Sequence, residues 1–225
     1  MKYNNVVHGI FVDRPNRFIA HVLVNDIVET VHVKNTGRCR ELLIPGAHVI
    51  LEVCDNPNRK TKYDLICVYK EGIGIVNMDS QAPNKVVGEW LRTHRDITFI
   101  KPEYTYGKSR IDFYFEMGEI KCLMEVKGVT LEKDKKAYFP DAPTLRGVKH
   151  LKELIGAIDA GYRCYVAFVI QMEEITEVYA NEETHLEFAK TLEAAKRAGV
   201  TILNLETAVT EDTLKITSEI EKITT

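Results

Sequence analysis

Asp112, Glu125 and Lys127 have the types and spacing of a metal-dependent hydrolytic centre. Glu125 and Lys127 interrupt an otherwise apolar run, and residues two apart in a strand share a face, so this carboxylate and ammonium project together. Residues 109–115 and 120–129 read as a hairpin turning at Met117-Gly118. In that register Asp112 lies opposite Leu123 and diagonal to Glu125, about 7–8 Å away at the backbone. Two carboxylates converging on one ion are hard oxygen donors suited to Mg²⁺ or Mn²⁺. An adjacent lysine can place a water and offset the charge that builds on phosphorus. The plain alternative is a structural ion pair of Glu125 with Lys127 or Arg110. Charge inside an apolar strand is costly without a partner or a metal, which favours a site.

The elements that must hold these groups follow from pattern. Segments 18–24, 28–33, 48–53 and 63–69 are rich in Val and Ile and are separated by turn residues, which predicts a small closed β-barrel of the OB type. Residues 79–83 read as a boundary, giving domains at 1–82 and 83–225. Beyond it, Asn84 is a candidate cap for a helix with Val86, Val87, Trp90 and Leu91 on one face. An extended stretch 97–100 precedes the hairpin. A helix from an Asp141 cap to Ala160, stopped by Gly161, then leads to the apolar run 165–170, a strand buried on both faces. A helix over 182–198, ended by Gly199, and a strand over 200–205 complete the order. It describes an α/β protein with a β domain: an OB-like barrel followed by a three-layer α/β/α sandwich with a mixed sheet.

Further polar residues fall near the predicted site. Arg146 and His150 are i and i+4 and share a helix face, set off the Val148, Leu151 and Ile155 face; Arg146 suits a phosphate and His150 a proton relay or leaving-group contact. Asp141 is either a cap or a catalytic group, and Gln171, at the end of the buried strand, either faces the cleft or bonds a loop. In the barrel, Arg14, Arg17, Arg38 and Arg40 accompany Phe11 and Phe18, a composition that tracks a phosphate backbone and stacks bases. The turn Asn35-Thr36-Gly37-Arg38 offers backbone N–H groups to an anion.

Asp112, Glu125 and Lys127 resemble the PD-(D/E)xK nuclease core, with Ile111 where that core often has proline. NRF (16–18), NTGRCRELLIPG (35–46), TKYDL (61–65), PNKVV (83–87), SRIDF (109–113), MEVKGVTL (124–131) and FPDAPTLRGVKHLKEL (139–154) resemble the sugar fermentation stimulation protein A family. The resemblance weakens after Gln171. It implies an OB-like domain, a restriction-endonuclease-like domain and sequence-independent DNA binding, and a regulatory part in sugar (maltose) metabolism is attached to the family; the residues themselves leave DNA and RNA both open as partner. It also implies the Val126 carbonyl as a further metal ligand and Glu89 as an outer carboxylate. Three functions stay open: a metal-dependent nuclease, a DNA-binding regulator with an inactive core, and a glycoside hydrolase using Asp112 and Glu125. The last has no use for Lys127.

Composition bounds the rest. The chain of 225 residues is 45% hydrophobic and 28% charged, which excludes wholesale disorder. Five widely spaced cysteines form no zinc knuckle or disulfide framework, and no apolar run approaches a signal peptide or membrane span, so a cytoplasmic, membrane-free protein is expected. A net charge of −3 argues against nucleic acid only as an average. Residues 1–152 carry 24 basic against 19 acidic side chains, and residues 153–225 carry 6 against 14. The barrel, the hairpin and the Arg146 helix all lie in the basic part.

Overall fold

The Val- and Ile-rich first 80 residues form β1 (Val6–Asn16), β2 (Ile19–Val24), β3 (Ile27–Val33), β4 (His48–Val53), β5 (Tyr63–Lys70) and β6 (Gly74–Asn77) in the computed structural model, which describes residues 1–35 and 37–219. The strand order is β3-β2-β1-β4-β5-β6, and a parallel β3–β5 pairing closes the first five into an OB barrel. Strand β2 shows the driving pattern, turning Ala20, Val22 and Val24 inward. Strand β1 is not foreseen from the sequence, because irregularities between Phe11 and Asp13 and between Asp13 and Asn16 break its alternation.

The second part is built from α1 (Ala82–Leu91), β7 (Ile97–Tyr106), β8 (Ser109–Met117), β9 (Ile120–Val129), β10 (Leu131–Lys133), β11 (Lys136–Phe139), α2 (Leu145–Asp159), β12 (Arg163–Ile170), β13 (Glu177–Ala180), α3 (Glu182–Ala198), β14 (Thr201–Val209) and β15 (Leu214–Glu219). Its main sheet has the order β15-β14-β12-β9-β8-β7, with β12 parallel to both β9 and β14 and the remaining pairs antiparallel. Helix α1 packs Val86, Val87 and Leu91 on the face that carries Phe113, Met124 and Val169. Helices α2 and α3 pack Leu151, Leu154, Phe188 and Leu192 on the face that carries Leu123, Val166 and Phe168. The result is a three-layer α/β/α sandwich with a mixed sheet. A separate three-stranded sheet, β10-β11-β13, lies outside the sequence expectation.

Two predicted caps are corrected. Helix α1 starts at Ala82 with Pro83 in its first turn, where a missing N–H costs nothing, so Asn84 lies inside the helix and does not cap it. Helix α2 is capped by Thr144, which accepts a hydrogen bond from the Gly147 N–H at 3.0 Å, and not by Asp141. Gly199 does end α3, at φ +99°. The predicted second domain continues into residues 220–225, which lie outside the described residues.

The barrel and the sandwich share one apolar core, and polar contacts cross the seam. The Gln171 amide donates to Asn77 Oδ1 at 2.9 Å and to the Asp79 carbonyl at 3.1 Å. The Asn77 amide in turn donates to the Tyr3 hydroxyl at 2.9 Å. Gly128 is needed here: a Cβ at that position would lie 2.3 Å from Gln171 Oε1. Among the described residues no helix is long and apolar enough to cross a membrane.

Candidate active site

Strands β8 and β9 pair from Met117↔Ile120 to Phe113↔Met124, so the tight turn is Gly118-Glu119 and not Met117-Gly118. Gly118 adopts the φ of +60° that such a turn requires. The register is therefore shifted by two residues from the predicted one. Because strand side chains alternate with period two, the shift leaves the residues of the paired stretch, Phe113–Met117 and Ile120–Met124, on their expected faces, and it places Asp112 across from Glu125 where the ladder ends. Beyond Phe113, β8 pairs with β7 alone.

At this opening the Asp112 carboxylate takes the place of a strand partner. It accepts the Val126 N–H at 2.7 Å and the Asn84 amide at 2.8 Å. In a strand the N–H and C=O of one residue point to the same side, so the Val126 carbonyl also faces the gap. Strand β8 changes facing here, since Ile111 packs into the α2–α3 core and Phe113 into the α1 core. Across from Asp112, Glu103 of β7 sits at φ +55°, a left-handed backbone that costs a non-glycine residue roughly 1–2 kcal/mol.

Glu125 is 3% exposed and faces α2. Its Oε1 accepts hydrogen bonds from Lys127 Nζ at 2.5 Å and from His150 Nδ1, while Oε2 is buried with no hydrogen-bond partner. Burial opposes its ionisation, but Lys127 and His150 outweigh it and hold the carboxyl below its ordinary pKa. Asp112 is raised, first by burial and then by the charge of Glu125. Arg146, exposed on the first turn of α2, donates from Nε to His150 Nε2 at 3.4 Å. Burial pushes the Cys67 and Cys164 thiols up to about 12 and Cys122 up to about 11, so these are not thiolate nucleophiles.

The remaining candidates disperse. His150 is 3% exposed and bonded to Glu125, so it is not an open phosphate contact off the buried face. Its positions relative to Gly147, Leu151 and Leu154 are those of the buried stripe. Glu89 points away to the Met1 ammonium, 2.6 Å distant, although it lines a groove of about 420 Å³ with Asp112 and Arg92. Gln171 is spent on the seam. Arg14 is tied down by the carbonyls of Arg17, Asn35, Gly37 and Arg38, and Phe11 is a core residue. Arg17, Arg38 and Arg40 are exposed, and among the described residues their guanidinium groups make no hydrogen bond or ion pair. They line a cavity of about 750 Å³ on the domain seam, with Phe139 and Asp141 on its other wall. Thr36, in the predicted anion-binding turn, lies outside the described residues. Asn84 was missed as a site residue because a polar side chain before an apolar helix reads as a cap.

A closed OB barrel joined to a mixed-sheet α/β sandwich, with Asp112, Glu125 and Lys127 where its central hairpin opens, defines a protein with an N-terminal OB domain and a C-terminal α/β domain. Residues 12–78 match the SfsA N-terminal OB domain and residues 81–213 the sugar fermentation stimulation protein RE domain. The chain belongs to the sugar fermentation stimulation protein family. It is 52% identical over 224 residues to the sugar fermentation stimulation protein homolog of Ruminiclostridium cellulolyticum, covering 98% of this chain and 99% of that one. The homolog of Clostridium beijerinckii is 53% identical, covering 99% and 100%. The structure of Pyrococcus furiosus SfsA in complex with Ca²⁺ superposes with a TM-score of 0.88 at 26% identity, covering 100% of this chain and 98% of that one.

Proposed function

We propose that this protein binds DNA without sequence preference and cleaves it by divalent-metal-dependent phosphodiester hydrolysis. The observation that carries the reading is Glu125 Oε2, a buried carboxylate oxygen without a partner beside Asp112 and Lys127. An orphaned buried acceptor is costly, and a hard cation would satisfy it. The donor set fits: Asp112, Glu125 and the Val126 carbonyl are all oxygen ligands, suited to Mg²⁺ or Mn²⁺. The relative from Pyrococcus furiosus in complex with Ca²⁺ supports a hard-metal site at this fold. When bound, such a cation supplies Lewis-acid stabilisation of phosphate oxygens.

The chain's own groups divide the remaining work. Asn84 and the Val126 N–H fix Asp112, so its free lone pairs keep one direction. Lys127, 15% exposed at its side chain, can hold the attacking water and balance negative charge on phosphorus. Arg146 offers a bidentate contact to a phosphate next to the scissile one. The unpaired Arg17, Arg38 and Arg40 attract the backbone further along the seam.

Incubation of the protein with single- and double-stranded DNA and with RNA, under Mg²⁺, Mn²⁺ or chelator, tests this. Cleavage of DNA that chelator abolishes is expected. DNA binding with no cleavage in any metal would leave a regulator with an inactive core. Binding itself is expected to weaken steeply with salt. Replacing Arg17, Arg38 and Arg40 together with Ala should lower the slope of log affinity against log salt by about 3, nearly equally for unrelated sequences. Fluorescence anisotropy across a salt series measures both, and an unchanged slope would remove these residues from the interface.

A further inference from the structure

The sequence pattern sets His150 off the apolar face of its helix as a proton relay or leaving-group contact, whereas the fold encloses it. Its ring stands between two groups of opposite demand. Nδ1 meets Glu125 Oε1, an acceptor, and Nε2 meets Arg146 Nε–H, a donor. An imidazole satisfies both only with its proton on Nδ1 and its lone pair on Nε2. The Arg146 guanidinium therefore selects the tautomer, and the tautomer presents a donor to Glu125. Lys127 bonds the same carboxylate oxygen, so both donors gather on Oε1 and leave Oε2 turned away from them, buried and unpartnered.

We infer that Arg146 and His150 form a positioning relay that orients Glu125 so that its Oε2 is the oxygen offered to a divalent cation. The inference rests on the metal-site reading above. His150 touches neither phosphate nor metal and is not a catalytic residue. Partners of this kind, one bond removed from a ligand, typically change metal affinity by 10–100-fold when lost. The relay also connects the exposed Arg146 to a carboxylate that is itself enclosed.

The test uses the full chain, with Ca²⁺ and Mn²⁺ as probes and binding read from thermal shift and calorimetry, independently of cleavage. His150→Phe keeps the ring and removes the donor; it is expected to weaken Ca²⁺ and Mn²⁺ binding about tenfold or more. His150→Asn restores a donor near the Nδ1 position and is expected to recover most of that loss. In cleavage assays the apparent KM for metal should rise with kcat largely regained at saturating metal. Nitrogen-15 correlation spectra of the metal-free protein should show His150 protonated at Nδ1 alone, and Arg146→Ala should disturb that signature. Wild-type affinity in folded His150→Phe, or a proton on Nε2 in the wild type, overturns the relay. If His150→Phe does not fold, the Asn variant and the spectra still decide it. Wild-type protein that binds neither cation overturns the metal reading itself, a different result from a relay that fails while metal binds.

Discussion

Glu125→Gln is expected to lower the rate of DNA cleavage by about 10²–10³-fold at saturating metal, the size seen when one preorganised electrostatic group is removed. The substitution keeps the volume of a side chain that is 3% exposed, so packing changes little. It removes the negative charge that faces Lys127 and His150 and replaces one carboxylate oxygen by a donor. Lys127→Ala is expected to cost a similar factor through a different route, the loss of the group that holds the water. Because the two act as a unit, the double variant should be little worse than either alone. Single-turnover cleavage of a labelled oligonucleotide measures all three, with circular dichroism confirming the fold. Undiminished cleavage by folded Glu125→Gln would place the chemistry elsewhere.

The second large effect concerns stability and lies in the barrel. Asp64 is almost wholly enclosed, and its carboxylate gathers Arg59 at 3.0 Å, Lys34 at 3.1 Å and His32 at 3.0 Å. Burial alone would raise its pKa; the combined pull of Arg59, Lys34 and His32 reverses the sign and holds it well below the carboxylate range. Removing one partner of a buried charge cluster strands the others, so Asp64→Ala is expected to destabilise the protein by about 3–5 kcal/mol. At about 2–4 °C per kcal/mol for a chain of this size, the melting temperature should fall by roughly 6–20 °C. The pH dependence follows from the depressed pKa. The contribution is fully present above the unfolded-state value near pH 4 and fades only as pH falls through the lower folded value. The difference between wild type and Asp64→Ala should therefore stay level from pH 7 to about 4 and shrink below it. Denaturant titrations at several pH values check this, and a gap that closes between pH 7 and 5 would overturn the assignment to Asp64.

What could be read in the residues was set by periodicity, and what could not was set by contacts between distant segments. Glu125 and Lys127 keep their common face despite a register two residues off, because alternation is blind to even shifts, whereas Asp112 lies where β8 changes facing. Helix α3 has the bounds that the pattern predicts, 182–198 with Gly199 as its stop. Strand β1 was missed because its irregular pairing destroys the pattern, and β10, β11 and β13 because three or four residues carry too little of one. His150 was misplaced because a histidine four residues from an arginine reads as surface. Its burial depends on Glu125, which lies 25 residues away in sequence and which local pattern cannot supply. The spacing of Gly147, His150, Leu151 and Leu154, which follows one helical stripe, was the available signal. Asn84 followed the same logic in reverse: a good cap by type, it was preceded by Pro83, the better marker of a helix start.

The buried link from Gln171 through Asn77 to Tyr3 bears on how the chain is modular. The two family domains meet between residues 78 and 81, and each has its own sheet. Yet Asn77 and Gln171 belong to opposite sides of that division and satisfy one another out of contact with water, and the apolar core continues beneath them. Separating the two parts would strip the Gln171 amide of its bonds to Asn77 and Asp79, while Asn77 would keep Tyr3, and would open the shared core to solvent. The segments matched as family domains and the unit that packs are therefore not the same length: matched as two pieces, this chain buries one continuous core.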